Sequence, residues 1–324
     1  MLFNNGRNQA GELGMSVHED MNIITPEGEK QLKSLKKVSM LLNANGEFQE
    51  VFATYIDDYH GYFYEFCFKA IPFTIKCTPD HLVYRIKNVD FLERTASKEN
   101  KEAFEKPAFE KASFVNIYEY LAMPFIQEIN EQLPINLPIE KEQFWFLVGV
   151  ILNRAAIDKM PKIEPSRITL QLFNEEMKLI RFPEEINKVP TVNGVVLLNP
   201  HLSNYISAIL ENPHKLLHLP LKYQASLYNG FFFDSARPPA TLDHKLMFVM
   251  WYFYCRINKK LANVVFNKNK EYQLNISSNP TPCSDSHIWI RVKDIRVTVE
   301  RTRVYLFKTE QPTIVINNFI VRPQ

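Results

Sequence analysis

The sequence predicts a mixed α+β protein in which strand-rich segments at both ends enclose a helix-bearing middle. Residues 73–86 and 287–307 alternate apolar and polar side chains, which is the period of a strand with one buried face. Residues 140–156 instead place apolar side chains at helical spacing. The chain has 324 residues, so we expect about two domains at the usual size of roughly 100–200 residues each.

Composition indicates an ordinary soluble chain. It is 46% hydrophobic and 23% charged, and its net charge of +2 neither requires nor excludes nucleic acid. No apolar run approaches the length of a membrane span and residues 1–15 are polar, so we expect a flexible leader, no membrane partner and an intracellular monomer, cytoplasmic or nuclear. The four cysteines lack metal-ligand spacing and no Gly-rich phosphate loop occurs, so no cofactor is expected.

The first half reads as strands that lead into a tight corner. Residues 48–68, rich in Tyr and Phe, predict two strands. Pro79-Asp80 then lies between two apolar runs and predicts a turn, which places the Thr78 hydroxyl and the His81 imidazole on one corner. A charged loop at residues 90–112 and a short closing segment at residues 111–125 follow.

The middle of the chain shows two helix-plus-sheet units, each of which starts with a helix that contains a glycine. Gly149 lies within the helix predicted at residues 140–156, and Gly230 within the one predicted at residues 223–235. An interior glycine costs a helix about 1 kcal/mol against alanine, so it marks a close packing contact. The other predicted elements are strands at 168–173 and 194–198, helices at 201–211 and 241–258, and a hairpin at 262–277.

Three parts of the chain resemble the Hint fold of inteins and hedgehog-type autoprocessing domains. TPDH at residues 78–81 is similar to the TxxH motif of that family, and SVHEDMNIITPEG at residues 16–28 is similar to its N-terminal block, with Ser16 at the nucleophile position. Residues 304–305 and the tail TIVINNFIVRPQ resemble its two C-terminal blocks. The resemblance implies an all-β Hint domain in two parts, residues 16–126 and 285–324, whose chemistry is protein splicing or autocatalytic cleavage.

The family reaction assigns a role to each matching residue. Ser16 would attack the carbonyl of Met15 and convert the amide into an ester, His81 would protonate the departing nitrogen, and Thr78 would hydrogen-bond at the scissile peptide. The structural alternative is an ordinary serine beside a capped turn with a surface histidine.

The C-terminal end departs from the family pattern, which finishes with His-Asn. Pro323 stands at the histidine position and Gln324 at the asparagine position, and Leu306 replaces a polar residue after the Val-Tyr pair. Proline cannot move a proton, and nothing follows Gln324 for splicing. Full splicing is therefore not expected, whereas the acyl shift or cleavage at Met15-Ser16 remains open.

Residues 138–280 resemble the LAGLIDADG module of homing endonucleases, carried by FLVGVILNR around Gly149 and SLYNGFFFDSA around Gly230. The resemblance implies two pseudo-twofold helices that each deliver a carboxylate to Mg²⁺ five residues after the glycine. Here those positions are Arg154 and Ser235, and Asp234 is displaced by one residue, about 100° around a helix. The endonuclease is therefore expected to be degenerate, without a metal.

The hairpin at residues 262–277 is the candidate DNA contact in this module. Asn267, Lys268 and Lys270 lie near its tip and suit phosphate contacts in double-stranded DNA. The alternative is that such residues are common in any exposed turn.

The sequence therefore predicts a Hint domain interrupted by a degenerate LAGLIDADG module, similar in order to endonuclease-bearing inteins and to the mating-type-switching endonuclease. Autoprocessing at Met15-Ser16 is the first functional hypothesis. The alternatives are a DNA-binding protein that uses the LAGLIDADG scaffold without cleavage and an active, Mg²⁺-dependent site-specific endonuclease.

Overall fold

The structure, a computed structural model, is a mixed α+β protein with a large antiparallel sheet. Contacts divide the chain into two units, one of residues 1–127 with 281–324 and one of residues 128–280. The residues that the structure describes are 16–87, 106–128, 141–157, 168–169, 191–192, 195–196, 200–232, 240–241, 243–277, 283–284 and 286–322. No helix in these ranges is long and apolar enough to cross a membrane.

The first unit is built from strands that join into one sheet in the order β3-β2-β17-β18-β7-β9-β16-β1-β6-β5-β4, with β8 added on β7. Some neighbours in this order come from opposite ends of the chain, namely β2 and β17, β7 and β18, and β1 and β16, so the two ends meet in the same sheet. The strands are β1 Val17–His18, β2 Asn22–Thr25, β3 Gly28–Gln31, β4 Val38–Leu42, β5 Phe48–Phe68, β6 Thr74–Cys77, β7 Leu82–Ile86, β8 Ala108–Lys111, β9 Tyr120–Pro124, β16 His287–Thr309, β17 Ile314–Ile316 and β18 Phe319–Arg322.

Residues 48–68 form one continuous strand, so the prediction of two strands there is wrong. β5 pairs antiparallel with β16 over most of its length, from Val51↔Thr309 to Phe68↔Val292. Because β16 offers backbone partners throughout, β5 can satisfy its N–H and C=O groups without an intervening turn. The 23-residue β16 then continues beside β9 at its other end.

The second unit contains every α-helix that the structure describes and two small sheets, ordered β10-β12-β11 and β13-β15-β14. Its core centres on α4, in which all residues from Leu246 to Cys255 are buried, as expected of a helix that is apolar on every side. The elements are α1 Lys141–Ile157, β10 Ile168–Thr169, β11 Thr191–Val192, β12 Val195–Val196, α2 Pro200–Glu211, α3 Leu221–Phe231, β13 Ala240–Thr241, α4 His244–Asn258, β14 Asn263–Phe266 and β15 Tyr272–Asn275.

The α4 helix begins three residues later than predicted, because a cap fixes its start. The Asp243 carboxylate accepts hydrogen bonds from the backbone N–H groups of Lys245 and Leu246, at 2.8 and 3.2 Å. Thr241 belongs instead to β13 and pairs with Tyr272. The glycine-bearing helices and the hairpin are confirmed, with α3 ending at Phe231 rather than at residue 235.

Candidate functional site

Strand β1 brings Ser16 into the interior of the first unit. Val17 lies opposite Cys77 of β6 on one side and opposite Tyr305 of β16 on the other. Ser16 is fully buried at the entry to this strand, so it is not an exposed residue at the end of a leader.

Ser16 and Thr78 are joined by three hydrogen bonds. The Ser16 N–H donates to Thr78 Oγ1 at 3.1 Å, the Thr78 hydroxyl donates to the Ser16 carbonyl at 3.2 Å, and the Thr78 N–H donates to the same carbonyl at 3.1 Å. The Ser16 nitrogen belongs to the peptide bond with Met15. The Thr78 hydroxyl therefore contacts the amide nitrogen that would depart in an acyl shift.

The Ser16 hydroxyl itself is not used in this arrangement. Its Oγ is buried and has no hydrogen-bond partner among the described residues. A buried hydroxyl ordinarily finds a partner, so one without a partner costs stability and calls for an explanation. A hydroxyl kept unpaired so that it can react would be one explanation.

The corner at residues 78–81 is a β-turn, as predicted. The His81 N–H donates to the Thr78 carbonyl at 3.1 Å, and Pro79 occupies the second position, where its fixed φ favours the turn. The His81 side chain is fully buried, so the alternative of a surface histidine is wrong. The Ala112 N–H, which donates to the His81 carbonyl at 2.8 Å, anchors the corner from the next segment.

The C-terminal tail reaches the same corner. β17 and β18 form a hairpin whose turn residues Asn317 and Asn318 both have positive φ, at 47° and 74°, as a two-residue type I′ turn requires. β18 then pairs with β7, and Arg322 lies opposite Leu82, the residue after His81. Pro323 and Gln324 lie outside the described residues.

A charged network beside Ser16 was not identified from the sequence. His18 Nε2 lies 3.1 Å from Glu300 Oε2, and Lys76 Nζ lies 2.5 Å from both oxygens of the same carboxylate. Residues two apart on a strand lie on the same face of a sheet. His18 follows Ser16 by two residues and Lys76 precedes Thr78 by two, so the sequence could have indicated that these two members of the network lie near the site. Glu300 carried no local signal, because it meets His18 across 282 residues of sequence.

In the second unit, α1 and α3 touch through their glycines. A Cβ at Gly149 would collide with the carbonyl oxygen of Leu227, and a Cβ at Gly230 would collide with that of Phe146. Each obstructing carbonyl lies three residues before the other glycine, so the contact is the same in both directions. Such reciprocity is the property of a twofold interface, here within one chain.

The positions that the LAGLIDADG resemblance assigns to a metal are not described in full. Residue 154 falls on α1, but its side chain lies outside the described part of the structure, as do residues 234 and 235. Among the described residues no three His, Cys, Asp or Glu side chains are close enough to hold a metal ion.

The hairpin between β14 and β15 presents its lysines and uses its asparagine. Lys268 and Lys270 are exposed at the tip. The Asn267 side chain accepts from the N–H groups of Asn269 and Glu271, at 2.9 and 3.0 Å, and donates to the Glu271 carboxylate at 3.1 Å. Asn267 thus shapes the turn, and the two lysines are the groups available to a partner.

Neither a comparison with the models of known protein families nor one with curated proteins finds a match to this chain.

Proposed function

We propose that the first unit is an intein-like (Hint) autoprocessing domain that carries out an N-to-O acyl shift at Met15-Ser16. The observation that carries the proposal is the buried Ser16, whose hydroxyl has no partner in the described part of the chain while its amide nitrogen is bonded to Thr78 Oγ1 at 3.1 Å. Autocatalytic cleavage at this bond would follow when the ester is hydrolysed.

The proposed step balances within these residues. Ser16 Oγ attacks the carbonyl carbon of Met15, the C–N bond breaks, and an ester forms between Met15 and Oγ. The proton lost by the hydroxyl ends on the released Ser16 amine. A serine hydroxyl is a weak nucleophile without a base, so we assign proton transfer to His81 and the hydrogen bond at the departing nitrogen to Thr78.

The convergence of distant segments supports this proposal. β1, the turn at residues 78–81 and the hairpin β17–β18 come together in one sheet, although residues 128–280 form a separate unit between them. An autoprocessing domain needs this topology, because its reacting peptide and its catalytic turn must meet independently of any inserted unit.

The test is the intact mass of freshly purified protein with and without hydroxylamine at mild pH, because hydroxylamine cleaves esters and spares amides. We expect a fragment that begins at Ser16, increased by hydroxylamine, absent in Ser16→Ala and reduced in Thr78→Val and His81→Asn. Ser39→Ala, a serine elsewhere in the unit that donates to the Lys36 carbonyl at 3.2 Å, is the matched control and should cleave normally. A full-length mass under every condition would reject the proposal.

A second candidate function is binding of double-stranded DNA by the second unit, on a LAGLIDADG scaffold without cleavage. It is favoured by the reciprocal contact of Gly149 and Gly230 and by the exposed Lys268 and Lys270 at one hairpin tip. Each lysine that contacts a phosphate releases counterions, so binding should weaken steeply with salt.

The test for this function is retarded migration of duplex DNA over a series of salt concentrations. If both lysines contact phosphate, Lys268→Gln/Lys270→Gln should lower the slope of log K against log salt by about 2. Lys215→Gln/Lys222→Gln removes two exposed lysines elsewhere in the unit and should leave the slope unchanged. Absence of binding at low salt would eliminate this function.

A further inference from the structure

Strand β1 is only two residues long, yet it must hold the Ser16 peptide in place. Its backbone pairs with β6 only through Val17 and with β16 through Val17 and His18. A strand with so few backbone pairings needs further contacts to stay in place. Side chains from β16 provide such ties at two successive residues.

The first tie runs through Glu300. Its carboxylate bonds to His18 of β1 at 3.1 Å and to Lys76 of β6 at 2.5 Å, and Thr298 Oγ1 donates to it at 2.7 Å. The side chains of His18 and Lys76 are 6% and 16% exposed, and that of Glu300 is 31% exposed. The ion pair is therefore screened less than a surface pair and holds a defined geometry.

The second tie is the hydrogen bond that Thr302 Oγ1 donates to the Glu19 carboxylate at 2.6 Å. It fixes the residue after His18 to the same strand β16. Further charged groups around the network include Asp20, whose carboxylate lies 3.6 Å from His18 Nδ1, and Glu65 of β5, which is paired in register with Lys76.

His18 is fixed in one tautomer and is not placed to act as the base. The Asp20 N–H donates a hydrogen bond to Nδ1 at 3.1 Å, so the ring proton is on Nε2. Nε2 then donates a hydrogen bond to the Glu300 carboxylate. Both ring nitrogens are engaged, so neither is free to take the proton of the Ser16 hydroxyl. This leaves His18 a positional role.

The strand register makes His18 and Lys76 the next pair of residues on the same face of the sheet as Ser16 and Thr78. Val17 lies opposite Cys77 in an antiparallel pair, so Ser16 lies opposite Thr78 and His18 lies opposite Lys76. Side chains two residues apart share a face of the sheet. A carboxylate that joins His18 to Lys76 therefore also sets the alignment of Ser16 on Thr78.

We propose that Glu300 is a positioning residue for the Ser16 peptide: by joining His18 of β1 to Lys76 of β6, it holds the Ser16 amide on the Thr78 hydroxyl. Its consequence for catalysis rests on the acyl shift proposed above. The geometry that it maintains can be measured without any turnover.

The experiment measures amide hydrogen exchange at residue 16 by NMR in the full chain, in a Ser16→Ala background that keeps the peptide bond intact. Adding Glu300→Gln should accelerate amide exchange at residue 16 at least tenfold. The ¹⁵N chemical shifts of the His18 ring should also move away from those of the Nε2–H tautomer. Exchange at Ile23, in β2, which follows β1 along the chain but does not pair with it, should stay unchanged. In the chain that retains Ser16, the same substitution should slow hydroxylamine-dependent release at least tenfold.

Glu110→Gln is the matched control. Glu110 forms an ion pair with Arg85 at 3.1 Å, and the two side chains are 32% and 10% exposed, so Glu110 resembles Glu300 in burial. It differs in location, because it joins strand β8 to strand β7. Unchanged exchange at residue 16 in Glu300→Gln, or equal acceleration by both variants, would overturn the proposal. Accelerated exchange in Glu300→Gln alone, in a protein that never cleaves, would support the positioning role and reject the acyl shift.

Discussion

Alanine at Gly149 would place a methyl group against the backbone of α3. The added Cβ would lie 2.7 Å from the Phe231 nitrogen and closer still to the Leu227 carbonyl oxygen, and neither atom can rotate away. Overpacking of this kind costs about 1–3 kcal/mol, occasionally more, while alanine in a helix interior returns about 1 kcal/mol. Because both obstructing atoms belong to the backbone, we take the upper end of the cost, about 3 kcal/mol, and the helix gain of about 1 kcal/mol leaves a net destabilisation of about 2 kcal/mol. A measured loss of stability would indicate that the helices touch at this glycine.

The measurement is thermal unfolding followed by far-UV circular dichroism at the helix band, because the described α-helices all lie in the second unit. A loss of about 2 kcal/mol should lower Tm by about 4–8 °C in a unit of this size. Gly230→Ala should behave alike, and the double variant should be little worse than either single one, since helices already separated admit the second methyl group. Gly61→Ala, for which the three nearest atoms all belong to the movable Tyr59 side chain, is the control. An unchanged or higher Tm in Gly149→Ala would refute the close crossing.

Two further predictions concern the second unit. Burial, with help from His214 and Arg256, lowers the pKa of His218 to about 4 from the usual 6.5. The unfolded state therefore binds the extra proton first, and stability should be complete above about pH 6.5 and fall by up to about 3 kcal/mol as the pH drops toward 4. His218→Gln should reduce the pH dependence of the free energy of unfolding, measured from unfolding curves at a series of acidic pH values. An equally steep pH dependence in this variant would contradict the assignment to His218. Duplex DNA incubated with Mg²⁺ should remain intact, because in the proposed LAGLIDADG alignment Arg154 and Ser235 stand where that family has metal-binding carboxylates. Nicking that Asp234→Asn abolishes would show that the motif alignment is displaced by one residue.

Features fixed by short-range chemistry could be predicted from the sequence. The turn at residues 78–81 follows from Pro79 between two alternating runs, and its hydrogen bond from His81 N to Thr78 O forms within four residues. The crossing at Gly149 and Gly230 was likewise indicated, because an interior helix glycine needs a packing reason.

Features fixed by pairing between distant segments could not be predicted. β5 is one continuous strand because it pairs with β16 over most of its length. No pattern within residues 48–68 indicates that such a partner strand exists. The contacts of Glu300 could not be predicted for the same reason, because they depend on which residues the strand register places opposite each other. Asn267 shows a different limit: its residue type suits phosphate contact, yet its amide is occupied by the turn that it shapes.

The place of β1 between β6 and β16 has a consequence for the order of events during synthesis. Val17 can meet Cys77 soon after both emerge from the ribosome, but its other neighbour, Tyr305, is made only after the entire second unit. Contacts between such distant residues form late, because the intervening chain must first be brought together. Ser16 therefore completes its surroundings only after residue 305 has been made, so the acyl shift proposed above would be delayed until the second unit has been synthesised.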